Sequence, residues 1–235
     1  MKKKIGIHWF RNDLRINDNP SLNYLSRNYD NILGVFIFDE INANPKLGSA
    51  SKVWLNYSLE YLKKQLNGNL IVFKGEPKEC LDELIHFFDA QEISWNRCYE
   101  PWIIKRDKKL KIYLNEKIKV NSFNGSLLWE PWEILKNDKT PYKVFTPFYK
   151  RGCLSAVNPR IPKSEKINFF NHNFRVTNIS DLDLLENKMW ENEIVSQWRV
   201  GEDSSNEIMK SFFQNGVQNY SEGRNFPNKK NVSRL

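Results

Sequence analysis

Ile5-Gly6-Ile7-His8-Trp9-Phe10-Arg11-Asn12-Asp13-Leu14-Arg15, continuing through Ile16-Asn17-Asp18-Asn19-Pro20-Ser21-Leu22, decides both the fold and where its chemistry should sit. The apolar half reads as a first strand, and the polar half as the loop that leaves it. In an open α/β sheet, ligands bind outside the carboxyl ends of the strands. Arg11, Asp13, Arg15 and Asp18 are therefore expected at such an end, either to meet a ligand or to pair with one another and pin the loop. Outward from this segment the pattern repeats. Ile32–Phe38 is an uninterrupted apolar run, as in a strand covered on both faces. Residues 49–66 carry Leu55, Leu59, Leu62 and Leu66 at helical spacing. Leu70–Phe73 and Ile93–Cys98 read as strands, as does Val120–Phe123; Lys78–Phe88 and Arg106–Leu114 read as helices between them. Strands separated by helices call for crossover connections, hence an α/β domain with a doubly wound, mainly parallel, Rossmann-like sheet.

The chain has 235 residues, 40% hydrophobic and 27% charged, and suits one large domain or one domain plus part of another. No apolar stretch approaches the roughly 18 residues of a membrane span. Met1-Lys2-Lys3-Lys4 is followed by only three weakly apolar residues before His8, so no secretory leader and no membrane association are expected, and the cytoplasm is the expected compartment. Cys80, Cys98 and Cys153 form no paired spacing and there are three histidines, so buried thiols are expected and no metal site. A net charge of +8 permits a polyanionic partner, and eight Trp, nine Tyr and fifteen Phe could wall a planar ligand or simply pack a core. No G-x-G-x-x-G follows the first strand, and there is neither a Walker A loop nor a G-x-S-x-G elbow. The α/β half thus reads as a binding or scaffolding unit, with no catalytic residue of its own.

Past residue 130 the composition changes. Pro131, Pro141, Pro147, Pro159 and Pro162 mark a long connector that should wrap a domain surface. From Asp203 the pattern is helical: Ser204 and Glu207 have capping-box spacing, and Ile208, Met209, Phe212, Phe213, Val217 and Tyr220 should form the buried face. The tail carries Arg224, Lys229, Lys230 and Arg234 without an acid after them. One helix cannot build a second core. The expected organisation is an α/β domain over 1–130, a connector over 131–190, and the truncated start of a second, helical domain over 191–235.

The opening motif resembles that of the DNA photolyase and cryptochrome family, and the resemblance recurs in order. Phe36-Ile37-Phe38-Asp39, Ser51-Lys52-Val53-Trp54-Leu55 and Gly75-Glu76-Pro77 follow it, then Tyr99-Glu100-Pro101-Trp102 with Lys105-Arg106-Asp107. The block Leu127-Leu128-Trp129-Glu130-Pro131-Trp132 with Pro141-Tyr142-Lys143-Val144-Phe145-Thr146-Pro147-Phe148 looks most like bacterial photolyases acting on cyclobutane pyrimidine dimers. Trp198, Gly201-Glu202, Tyr220, Arg224, Pro227 and Ser233-Arg234-Leu235 resemble the entry to the family's FAD-binding helical domain.

That resemblance implies the N-terminal portion of a light-driven repair flavoenzyme, in which reduced FAD gives an electron to a pyrimidine dimer in damaged DNA. It implies Tyr220 as a flavin contact, Arg224 as a DNA contact, and Val232, Ser233, Arg234 and Leu235 as the segment holding the flavin's phosphate and ribityl region. Val232 lacks the hydroxyl the family often has there. A second, antenna chromophore is implied in the α/β half, with Asp39 as a contact or a loop cap. Trp102 and Ile103 stand where folate-binding relatives carry an Asn-Glu pair and cannot accept a hydrogen bond from a pterin, which leaves the antenna's identity open. A monomer is expected. Two other readings share parts of this pattern: a cryptochrome-like photoreceptor, and a stand-alone nucleotide-binding α/β domain.

Overall fold

The computed structural model describes residues 4–175, 177–186 and 188–229. Contacts divide the chain into two compact units, Met1–Asn44 with Asn69–Thr177, and Pro45–Gly68 with Asn178–Leu235.

The first unit is built on five parallel strands, β1 (Ile5–Phe10), β2 (Asn31–Phe38), β3 (Leu70–Lys74), β4 (Glu92–Asn96) and β5 (Lys119–Phe123), in the order β3-β2-β1-β4-β5. Every residue of β2 and β4 is buried, the signature of strands covered on both faces. Helix α1 (Pro20–Asn28) joins β1 to β2, and α2 (Ser49–Gln65), which belongs to the second unit, joins β2 to β3. Helices α3 (Pro77–Phe88) and α4 (Pro101–Asn115) supply the remaining crossovers. On one face Leu81 and Leu84 of α3 and Leu110 and Leu114 of α4 close over Ile7, Trp9, Val35, Ile71, Ile93 and Trp95. Each such side chain contributes about 1.5–3 kcal/mol by leaving water.

The sequence pattern gave no helix between β1 and β2, yet α1 forms there. Asn19 is its N-cap, accepting from the Leu22 amide at 3.2 Å, and Pro20 occupies the first turn, where a missing N–H costs nothing. The helix lies close on β1: a Cβ at Gly6 would stand 2.9 Å from Leu25 Cδ2. The sheet turns direction at β1, whose chain leaves toward β2 on one side while β4 pairs on the other. Crevices open at such switch points.

The connector folds back along this unit. Asn23 Nδ2 donates to Lys163 O at 2.8 Å, Arg27 pairs with Glu165, and Arg160 pairs with Asp18. The Ile32 amide donates to Asn168 O at 3.0 Å, and the Phe170 amide donates to Ile32 O at 2.8 Å. Phe170 and Phe174 then join Phe73, Phe87 and Phe88 in one aromatic cluster. Ahead of this strap, α5 (Phe145–Pro147) continues into a π-helical turn, Phe148–Gly152.

In the second unit α2 packs against the turn Ile179–Leu182 and against α6 (Met189–Gln197), and α7 (Glu202–Asn215) and α8 (Tyr220–Gly223) follow. Here two expectations are corrected. Ser204 is not the cap of α7; Gly201 is, at φ 112°. A Cβ there would come within 2.5 Å of Tyr61, whose hydroxyl donates to Asp203 at 2.6 Å, so glycine alone lets the helix start against that ring. Glu207 pairs with Arg199 instead of reaching back to a cap. Most of the expected apolar face is not buried: Ile208 is 47% and Phe213 61% exposed, with Met209 and, past the end of α7, Val217 similar, while Phe212 and Tyr220 are half-buried. Periodicity selects which face a helix would bury, but cannot supply a surface to bury it against.

Candidate functional site

At the carboxyl ends of β1, β4 and β5 the loaded loop meets residues from far along the chain. Arg11 is buried; its Nη1 pairs with Asp107 of α4, and its Nη2 donates to Asn96 O at 2.6 Å. Its guanidinium lies 5.0 Å from the Trp9 ring and 5.8 Å from that of Trp95. Asp107 also accepts from Arg106 Nη2 at 2.9 Å, and Arg106 Nη1 donates to Asp39 at 2.8 Å. Arg11, Asp107, Arg106 and Asp39 thus alternate in sign through the interior. Each desolvated charge has an opposite partner, the condition under which buried charge is tolerated.

Asp13 accepts from Asn96 Nδ2 at 2.5 Å and from the Arg11 amide at 3.2 Å. Burial pushes its carboxyl above the usual carboxylate range, against the pull of those hydrogen bonds. Asn96 organises the site: its Nδ2 also donates to Asn19 Oδ1 at 2.8 Å, and its Oδ1 accepts from the Ser21 amide at 3.2 Å. Gly125 passes so close that a Cβ would stand 2.5 Å from Asn96 Cγ. Arg15 donates to Gly125 O at 2.5 Å and to Asp18 O at 2.9 Å.

Beneath the loop His8 is fully buried. Its Nδ1 lies 2.8 Å from Ser21 Oγ and its Nε2 lies 3.4 Å from Asn19 Nδ2. Burial, with Arg11 and Arg15 nearby, lowers its pKa to about 3, so the ring stays neutral.

A crevice of about 400 Å³ opens above, lined by Asp13, Arg15, Asn96, Cys98, Tyr99 and Glu100 among others. Arg97 forms its floor support, donating to Glu130 from Nε at 2.6 Å and Nη2 at 2.8 Å; Tyr99 OH donates to the same carboxylate at 2.7 Å. Burial and the Glu130 contact push the Tyr99 phenol up to about 12, and burial raises the Cys98 thiol, so both stay protonated. The crevice offers a planar ligand fixed acceptors and donors around its edge, at a volume normal for small-molecule sites.

Asp39 lies outside this lining. It accepts from the Asn42 amide at 2.9 Å and pairs with Arg106, which closes the loop after β2. The Trp102 ring lies 5.2 Å from the Arg106 guanidinium, and Ile103 is buried. In the second unit Tyr220 begins α8, and the Arg224 guanidinium stands 5.9 Å from its ring, as four-residue spacing places it. Phe212 meets the Tyr220 ring edge-on at 5.6 Å. Val232, Ser233, Arg234 and Leu235 lie outside the described residues. Sequence reasoning missed Asn96, Gly125 and the Arg97–Glu130–Tyr99 set. The available signal was topological, since Asn96 ends the strand that faces β1 across the switch point.

Among the described residues no cluster of His, Cys, Asp or Glu could hold a metal, and no helix is long and apolar enough to cross a membrane.

Fold and site together define, first, a doubly wound α/β protein with a ligand-sized crevice at its switch point. The family model described as DNA photolyase matches residues 6–165, and the chain belongs to that family. It is 32% identical to the deoxyribodipyrimidine photo-lyase of Agrobacterium fabrum over 97% of its own length and 49% of the relative's. It is 36% identical to Cryptochrome-2 of Arabidopsis thaliana over 66% of this chain and 26% of that one. The crystal structure of a bacterial class III photolyase from Agrobacterium tumefaciens superposes with a TM-score of 0.92 at 30% identity, covering all of this chain and 50% of that chain. The chain therefore spans about half the length of these photolyase relatives.

Proposed function

We propose that this chain forms the chromophore-binding and DNA-facing N-terminal portion of a deoxyribodipyrimidine photo-lyase acting on cyclobutane pyrimidine dimers. The observation that carries the reading is the match to a photo-lyase along 97% of the chain, the second unit included.

The residues present fit a flavin in part: the Tyr220 ring and the Arg224 guanidinium, 5.9 Å apart, suit a flat group beside an anionic one. On this proposal Tyr220 and the segment Val232, Ser233, Arg234 and Leu235 hold FAD, whose reduced, light-excited form supplies the electron that splits the dimer. Arg224 holds a DNA phosphate through a charge-assisted hydrogen bond. A second planar chromophore of unassigned identity takes the switch-point crevice, where Arg15 and Glu100 meet its polar edge and Asn96 holds the wall; Asp39 holds the loop and not the ligand. The organisation into an α/β unit, a connector and the opening of a helical domain belongs to the same proposal, as do a monomeric state and the cytoplasm.

The test compares this chain with a version extended to family length. Flavin absorbance after purification and light-dependent repair of a dimer-containing oligonucleotide are measured on both. The extended protein should bind flavin and repair; the 235-residue chain should do neither to a stoichiometric extent. Stoichiometric flavin on the short chain, or an extended protein that repairs nothing, would overturn the reading. The second outcome, with flavin retained, would support the photoreceptor reading that the Cryptochrome-2 match favours.

A further inference from the structure

Between Asp138 and Glu165 the chain carries Lys139, Lys143, Lys150, Arg151, Arg160 and Lys163 and no acid. Arg160 is paired with Asp18. Lys143, Lys150 and Arg151 are exposed, and among the described residues their side chains join no hydrogen bond or ion pair. The same turn carries aromatic rings turned to solvent: Phe145 is 72% and Tyr149 46% exposed, their centroids 5.8 Å apart and their planes within 6° of parallel. Exposed apolar rings cost free energy in water, and uncompensated cations attract polyanions. Flat faces beside free cations are the two parts of a platform for unpaired nucleotides: bases stack on the rings while the phosphates meet the charges.

We propose that the turn Val144–Arg151 is a contact surface for unpaired DNA, with Phe145 and Tyr149 stacking bases and Lys143, Lys150 and Arg151 neutralising phosphates. This deepens the reading above, from which it takes DNA as the partner, and adds a surface on the α/β unit to the proposed Arg224 contact. Parallel rings favour nucleotides over a lipid surface, because stacking needs presented faces where membrane insertion needs only apolar bulk.

The experiment is fluorescence anisotropy with a labelled thymidine oligonucleotide of about a dozen nucleotides, read in the dark with no flavin added. It uses the 235-residue chain, a Phe145→Ala/Tyr149→Ala variant and a Lys143→Gln/Lys150→Gln/Arg151→Gln variant. Ring removal should weaken binding by about fivefold or more per ring. Charge removal should reduce the slope of log K against log salt by about 2, at about 0.7 per phosphate on a single strand. All five side chains are solvent-facing, so both variants should keep the parent circular dichroism spectrum and melting temperature. Absence of oligonucleotide binding at low salt would overturn the proposal, as would variants that bind like the parent. The same holds if the substitutions change only binding to anionic lipid vesicles or self-association in sedimentation. Because no light, flavin or lesion enters the assay, its failure is distinct from failure of repair.

Discussion

Acidification from pH 7 to pH 5 should cost the first unit about 2 kcal/mol through His8 alone, and His8→Gln should abolish that component. Unfolded, the imidazole titrates near 6.5; folded, its pKa is about 3, because burial and the charges of Arg11 and Arg15 oppose protonation. A base whose pKa is depressed on folding stabilises fully above the unfolded value and loses that stability as pH falls, since the unfolded chain binds the extra proton. At about 1.36 kcal/mol per pH unit, the loss reaches ~2 kcal/mol at pH 5 and ~3 kcal/mol at pH 4. Glutamine keeps a donor and an acceptor for Ser21 and Asn19 without a titrating ring. Urea unfolding is followed by tryptophan fluorescence, to which Trp9 and Trp95 in this unit's core contribute. Carboxylates add their own slope, so the quantity compared is the pH dependence of parent minus variant. Identical pH profiles in parent and His8→Gln would refute the claim that this ring is held neutral by the network beneath the loop.

Other perturbations probe the same network. Arg11→Met leaves Asp107 with Arg106 as its remaining cation and should cost about 3 kcal/mol, the low end for breaking a buried pair. At ~2–4 °C per kcal/mol this is a fall in Tm of about 6–12 °C. Adding Asp107→Leu should recover part of the loss, and simple additivity of the two changes would argue against the pairing. Gly125→Ala drives a methyl into Asn96 and should cost about 1–3 kcal/mol while narrowing the crevice, measurable by calorimetry and by uptake of a planar fluorescent probe.

The strands were legible because burial on both faces writes them as apolar runs: Ile32–Phe38 in the pattern became Asn31–Phe38 in the fold. Helix α1 was not, because its buried face is partly polar. Ser21 and Asn23 are buried, the Ser21 amide donating to Asn96 Oδ1 and Asn23 Nδ2 donating to Lys163 O, partners more than seventy positions away. The position of the loaded loop followed from its place after β1. Its pairings did not: Arg11 chooses Asp107, not nearby Asp13, and Asp18 chooses Arg160 alongside its neighbour Arg15. The Ser204–Glu207 spacing misled because a cap is decided by backbone conformation and neighbours, and Gly201 against Tyr61 met both requirements. The four-residue step from Tyr220 to Arg224 survived the break at Gly216 because α8 restarts at Tyr220 itself.

The membership of α2 in the second unit has a consequence for how this protein is made. The polypeptide changes unit at Asn44–Pro45, again at Gly68–Asn69 and once more at Thr177–Asn178, so no single cut liberates either half intact. During synthesis α2 emerges before β3, β4 and β5 exist, and must wait for Ile179–Leu182 and α6 to be translated before its own neighbours arrive. Completing the second unit is thus a late, long-range event, and any shortened version ending within the connector strands α2 with an apolar flank and an open route to aggregation.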